Sequence, residues 1–264
     1  MATVLKLEGL AKRFHGLVAV SDLSIDVEER TIHALIGPNG SGKSTTVNLI
    51  TGAYPSSGGR VFHRGTEITN RPAYEIAQTG INRTFQNLKL YRSMTVLENL
   101  MVGMHVKTTQ GFFSFLVNPM RTAREEREMR EKALEVLTFL GLYKLRGEYV
   151  NNISYGRQKM TELGRSLMND PKLLFLDEPA AGLNPSERVE FIDILLKVFD
   201  SGIDLFLIEH NMDVVMNISH MITVINFGMK IAEATAKEIQ TDETVIQAYL
   251  GNKYRKRVEA DAEH

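Results

Sequence analysis

Apolar positions alternate at the start of the chain, at Val4, Leu5, Leu7 and Leu10 and again at Leu23, Ile25 and Val27. A two-residue repeat of this kind predicts half-buried strands. Thr31–Ile36 is more continuously apolar and predicts a buried strand that runs straight into the glycine-rich segment Gly37–Gly42. Ser44–Tyr54 predicts a helix stopping near Pro55, the Ser56-Ser57-Gly58-Gly59 cluster a turn, and Arg60–Phe62 a short strand. From about Thr95 to Met168 the alternation disappears and helix formers take over. There Arg124–Leu140 sets Met129, Ala133, Val136, Leu137 and Leu140 on one face, with glutamates and arginines opposite.

Strand and helix then alternate again. Leu173–Leu176 predicts a buried strand, Ser186–Phe199 a helix with Val189, Ile192, Leu195, Leu196 and Phe199 inward, and Ile203–Ile208 another buried strand. Ile222–Asn226 and Lys230–Ala234, separated by Phe227-Gly228-Met229, predict a hairpin. The order implies an α/β core interrupted by a mostly helical insertion. The expected division is a core of residues 1–86 and 160–250, a helical subdomain of residues 87–159, and a charged tail from 251 to 264.

Composition narrows the chemistry. With 264 residues and 43% apolar content the chain can bury a sizeable core. A formal net charge of -1 gives no basic excess of the kind that marks a nucleic-acid binder, so none is expected as a partner. There are no cysteines, which excludes disulfides and thiolate metal sites. Apolar runs such as Leu205–Ile208 fall far short of the roughly 20 residues a spanning helix needs. A soluble protein is expected, with any membrane role supplied by a partner.

Two motifs carry phosphate chemistry. Gly37-Pro38-Asn39-Gly40-Ser41-Gly42-Lys43-Ser44 matches G-x-x-x-x-G-K-[ST], between a predicted strand and a predicted helix. In such a loop the glycines let several backbone N–H groups face one phosphate, and the helix start adds its dipole. Lys43 offers a point charge to the β- and γ-phosphates, Ser44 a hydroxyl to Mg²⁺, and Thr45 reaches the α-phosphate. Leu173–Leu176 then delivers Asp177 and Glu178 at the C-terminal end of a strand, where α/β proteins bind ligands. Asp177 is placed to hold Mg²⁺ through water and Glu178 to polarise an attacking water. Together the motifs predict a P-loop NTPase.

Ile153-Ser154-Tyr155-Gly156-Arg157-Gln158 narrows this further. It resembles the signature of the ATP-binding cassette (ABC) family, usually written L-S-G-G-Q, with Tyr155 in place of the first glycine and Arg157 where glutamine is usual. The resemblance extends from Leu5 to about Leu250. It is nearest to the cassettes of branched-chain amino-acid importers (the LivG type), on Arg83-Thr84-Phe85-Gln86-Asn87-Leu88, Met94–Gly103, Ala181-Gly182-Leu183-Asn184-Pro185, Ile208–Val215 and the closing Ala248-Tyr249-Leu250-Gly251.

The resemblance implies a P-loop core with a small antiparallel β subdomain and an inserted helical subdomain. It also implies that Gln86 senses Mg²⁺ and water, that His210 hydrogen-bonds the γ-phosphate, and that Ser154 and Gly156 touch the γ-phosphate held by an opposite subunit. An aromatic ring stacks on adenine; Phe14 sits in the family's place for it, with Tyr91 and Phe62 as alternatives. The implied cofactors are ATP and Mg²⁺. The implied partners are transmembrane permease subunits, a second cassette and, indirectly, an external solute-binding protein, which puts the chain on the cytoplasmic face of the inner membrane. Phe112, Phe113 and Phe115 form an apolar run expected either to pack in the helical subdomain or to meet the membrane subunit. Two other readings share the loop: an ABC-type ATPase of translation or nucleic-acid processes, and a P-loop kinase, which has no use for Ser154–Gln158 or His210.

Overall fold

The computed structural model describes residues 2–84, 88–106 and 119–249. Two long strands, β1 (Thr3–Phe14) and β2 (Leu17–Glu28), pair antiparallel with bulges, which is how Val4 and Leu5 both come to be buried. With β4 (Gly58–His63) and β5 (Thr66–Glu67) they make a four-stranded antiparallel sheet in the order β2-β1-β4-β5.

The second sheet has six strands, adding β3 (Ile32–Ile36), β6 (Ile81–Arg83), β7 (Leu173–Asp177), β8 (Asp204–Ile208), β9 (Met221–Asn226) and β10 (Met229–Ala234). Its order is β10-β9-β3-β8-β7-β6, parallel except for the β9–β10 hairpin. Strands β3, β7 and β8 are buried at every position, which is why their sequences read as continuous apolar runs rather than alternating ones. Because they are parallel and adjacent, the residues just after them emerge along one edge.

Helices flank the sheet: α1 (Lys43–Ile50), α2 (Ala73–Gln78), α3 (Val96–Val102), α4 (Pro119–Phe139), α5 (Tyr155–Leu167), α6 (Pro185–Asp200), α7 (Met212–Ile218) and α8 (Ala236–Ile239). Helix α1 ends earlier than its apolar pattern suggests. Gly52 takes a left-handed conformation (φ 73°), and a Cβ there would lie 2.6 Å from the Arg71 carbonyl, so the chain turns before Pro55. On α6 the inward face is Phe191, Ile194, Leu195, Val198 and Phe199, whereas Val189, expected inside, is exposed. Asn184 and Glu187 form a reciprocal cap at its start, and this fixes the phase of the helix.

The helices between β6 and β7 are not a separate island. Leu97 and Leu100 of α3, Ala133 and Leu137 of α4 and Leu163 of α5 join one apolar cluster with Leu174 and Leu176 of β7. Buried Asn99 organises the approach to α3: its amide donates to the carbonyls of Tyr91 and Thr95, and its oxygen accepts from the Tyr91 N–H. The Phe112–Phe115 run and the tail from 251 lie outside the described residues.

Candidate nucleotide site

The phosphate loop begins where β3 ends. A Cβ on Gly37 would stand 2.1 Å from the Ile225 carbonyl, so only glycine lets β3 leave the sheet this close to β9. Gly42, at φ 105°, leads into α1, and a Cβ there would meet the Ala19 carbonyl at 2.5 Å. The β9–β10 turn braces the loop from outside: Gly228 N–H donates to Ser41 O at 2.9 Å, and Ser21 N–H donates to Gly228 O at 2.8 Å. Lys43 folds back over the loop and donates from Nζ to the carbonyls of Gly37 (2.7 Å) and Pro38 (2.9 Å). Its burial pushes the ammonium pKa down, against the pull of Glu178 and Asp177. The Ser41 hydroxyl is buried without a partner.

Beside the loop lies an open cleft of about 360 Å³, bounded by Gly40–Thr45 on one side and by Phe14, Leu17, Val18 and Phe227 on the other. The Phe14 ring stands edge-on to Tyr54, with centroids 5.7 Å apart, and Lys12 Nζ lies 4.9 Å from its centre. Of the three aromatic candidates only Phe14 shares this cleft. Tyr91 lines a different one, and Phe62 lies with Thr3, Lys6 and Glu8 on the antiparallel sheet.

The acidic pair sits two strands away. Asp177, almost fully buried at the end of β7, accepts a 2.5 Å bond from Arg83 of β6, whose other nitrogen donates to Asn48 of α1 at 2.6 Å. Glu178 adopts a left-handed conformation (φ 48°) with its N–H on the Ile208 carbonyl, and this turn carries its side chain off the strand line. Its Oε2 lies 3.5 Å from Nδ1 of His210, which comes just after β8 and is well exposed. The Glu178 carbonyl accepts from Lys159 Nζ at 3.0 Å, and that buried ammonium also has its pKa lowered by desolvation.

Ser154 caps α5, and the N–H of Gly156 lies in its first turn. Both donate to Oε1 of Glu187, Ser154 from its hydroxyl at 3.1 Å and Gly156 at 3.3 Å. The two departures from the usual signature also meet residues between β7 and the middle of α6. A Cβ on Gly182 would come within 2.9 Å of the Tyr155 ring, and Arg157 pairs with Glu190 at 2.8 Å. Gln86 lies outside the described residues.

Four site residues escape a reading of motifs. Arg83 and Lys159 approach from neighbouring elements, and Glu187 is one cap residue among many. Glu209, fully buried, ties the loops after β7 and β8 together by accepting from the N–H groups of Ala180 (2.9 Å), His210 (3.1 Å) and Asn211 (3.2 Å). Its signal in the sequence was a carboxylate directly after an apolar strand, overshadowed by the histidine next to it.

The donors fit a hard divalent cation with a phosphate: a hydroxyl on Ser44, a carboxylate on Asp177, and a loop whose own lysine and buried Ser41 hydroxyl face inward. No group of three His, Cys, Asp or Glu side chains placed to hold a metal exists among the described residues. A larger cleft of about 550 Å³ lies elsewhere, between α2, the ends of β6 and α3, and α5. Arg83, Lys89, Glu162 and Arg165 line it, with Tyr74 and Tyr91 exposed at its margin. No described helix is long and apolar enough to cross a membrane.

Known proteins share this arrangement across the chain. Residues 20–181 match the family model described as ABC transporter, and residues 229–254 match one described as branched-chain amino acid ATP-binding cassette transporter. The chain is 40% identical over 249 residues, 94% of its length and 98% of the relative's, to the high-affinity branched-chain amino acid transport ATP-binding protein LivG of Salmonella typhimurium. Among solved structures, a nucleotide-free ATP-binding cassette from an ABC transporter superposes with a TM-score of 0.83 at 35% identity, over 94% of this chain and 98% of that one. A cassette in its ADP conformation gives 0.83 at 33% identity, over 95% and 100%. With a phosphate loop, two strand-end carboxylates and an exposed histidine along one edge of such a sheet, and with these relatives, the chain belongs to the ABC transporter family, as one of its ATP-binding cassettes.

Proposed function

We propose that this cassette hydrolyses Mg·ATP to drive import of branched-chain amino acids through membrane permease subunits. The observation that supports it best is the convergence of Lys43, Asp177, Glu178 and His210 at the ends of β3, β7 and β8. The match of residues 229–254 and the name of the relative favour that solute class. An ABC ATPase outside transport, or one acting on nucleic acid, has no comparable support, and the net charge of -1 speaks against it.

In this reading Lys43 leaves the Gly37 and Pro38 carbonyls for the β- and γ-phosphates, and the inward amides of Asn39–Thr45 take the remaining phosphate oxygens. Phe14 stacks on the adenine. Ser44, Asp177 and Gln86 hold Mg²⁺, which when bound supplies positive charge against the phosphate oxygens. Water attacks the γ-phosphorus in line, the bond to the bridging oxygen breaks toward ADP, and Glu178 accepts the proton. His210 orients the γ-phosphate and water. Positioning and charge carry most of the acceleration.

Ser154 and Gly156 serve the γ-phosphate of a second cassette, so that ATP joins two half-sites. The cleft beside Tyr74 and Tyr91 takes a cytoplasmic segment of the permease, because it adjoins both the core and the helices after β6. The chain then sits peripherally on the cytoplasmic face of the membrane, and a solute-binding protein supplies the permease from outside.

Glu178→Gln tests the assignment. ATP binding should persist, since Lys43 and the loop amides are untouched, while turnover falls about 10²-fold or more, the scale of a lost general base. ATPase activity near that of the parent would remove Glu178 from the role.

A further inference from the structure

Ser154 has one hydroxyl proton and Gly156 one amide proton, so each can serve a single strong acceptor. In this structure both are spent on the same oxygen, Oε1 of Glu187, at 3.1 and 3.3 Å. The contact is close-fitting: a Cβ on Gly156 would lie 2.8 Å from that oxygen and 2.9 Å from the carboxyl carbon. Glu187 is held there from behind, because its Oε2 accepts from the Asn184 N–H at 3.3 Å and its own N–H donates to Asn184 Oδ1 at 2.9 Å. The start of α5 is therefore an anion site, by hydroxyl, amide and helix dipole, and an internal carboxylate fills it.

A phosphate oxygen cannot take the same two protons while Glu187 keeps them, and two anions at that spacing repel. We infer that Glu187 is an internal stand-in for the partner's γ-phosphate, which must release Ser154 and Gly156 before the ATP-joined dimer closes. The inference rests on the shared-site reading proposed for Ser154 and Gly156. It predicts the sign of an effect that a purely structural cap does not. Neutralising Glu187 should tighten nucleotide-driven dimerisation, whereas a residue that merely aligned Ser154 and Gly156 would, when neutralised, weaken it.

The variant is Glu187→Gln. Glutamine serves the N3 position of a capping box as glutamate does, so the cap at α6 survives. The experiment is sedimentation velocity of the full chain carrying Glu178→Gln, with and without Glu187→Gln, across a titration of Mg·ATP. The ATP concentration for half-maximal dimer should fall about fivefold or more in the double variant, the scale of exchanging charge-assisted for neutral hydrogen bonds on the competing side. Dimers in the single variant with an unchanged or raised midpoint in the double variant overturn the inference and leave the shared site standing. A single variant that stays monomeric while the double variant dimerises supports both. Monomers in both overturn the shared site for this chain, and the inference with it. Should the double variant melt early, the structure of the ATP-bound single variant decides the matter. Glu187 should have left both donors there, and a carboxylate still bonded to both overturns the proposal.

Discussion

Replacing Arg83 by Met isolates the contact that holds Asp177. Arg83 and Asp177 are largely shielded from water, with side chains 13% and 7% exposed, and meet at 2.5 Å. The same guanidinium bonds Asn48 of α1 at 2.6 Å, so one side chain ties β6, β7 and the phosphate-loop helix together. Removing it leaves Asp177 charged, with its ion pair lost. Breaking a buried pair from one side costs about 3–5 kcal/mol. The partial exposure of Arg83 puts the expected loss near the lower end, about 3 kcal/mol.

For a chain of this size each kcal/mol shifts the melting temperature by about 2–4 °C, so R83M should melt about 6–12 °C below the parent without nucleotide. Some of that loss belongs to the apolar stem of the arginine rather than to its charge. Asp177→Asn, alone and combined with R83M, separates the two through the coupling energy of the cycle. A coupling below about 0.5 kcal/mol, the scatter of additive sites, would refute the reasoning even if R83M itself melts early.

Acid should weaken the fold through His33. This histidine is buried on β3, stacks on Phe206, and meets Thr223 Oγ1 through Nε2 at 2.8 Å, and burial pushes its pKa down to about 4. The unfolded chain takes up the proton below about pH 6.5, and the folded one only near 4. Stability is therefore full above about 6.5 and is lost between about 6.5 and 4, by about 3 kcal/mol. Urea unfolding at pH 7.5 and 4.5 should show that loss shrinking by about this amount in His33→Gln, and an identical loss in both proteins would exclude His33 as its source. At the larger cleft, Tyr74→Ala with Tyr91→Ala should leave melting unchanged, since both rings are half exposed or more, yet abolish co-purification with the membrane subunits. Retained co-purification would place the permease contact elsewhere.

How legible these features were in the sequence depended on how local their physics is. The phosphate loop announced itself because its function is performed by consecutive backbone amides, so glycine spacing and a lysine are enough to specify it. Asp177 and Glu178 were legible because a buried strand must end somewhere, and two carboxylates at that end have little else to do. Phe14 was only one of three candidates, since nothing in its neighbourhood states that β1 curls toward Gly40–Thr45; the bulged pairing with β2 and the edge contact with Tyr54 are tertiary facts. The inward face of α6 was misread at Val189 because an apolar residue near the start of a helix extends the apparent pattern, while the buried face runs through Phe191, Ile194, Leu195, Val198 and Phe199 and leaves Val189 exposed.

Arg83, Lys159, Glu187 and Glu209 were illegible for a common reason: each acts by returning to a residue already identified. Lys159 holds the carbonyl of Glu178, Arg83 the carboxylate of Asp177, Glu209 the amide of His210, and Glu187 the donors of Ser154 and Gly156. Sequence motifs therefore marked the groups assigned to nucleotide, while the structure supplied the groups that bond to them within the chain. That division carries a physical consequence. Lys43, Asp177, Ser154 and Gly156 are all bonded within the chain, so a nucleotide that engages them must exchange bonds rather than create them. The net gain on binding ATP is then the difference between two satisfied states, which is small for each contact. In the proposed reading the two exchanges at Ser154 and Gly156 depend on a second cassette, so closure would be driven by ATP and reversed when the γ-phosphate leaves.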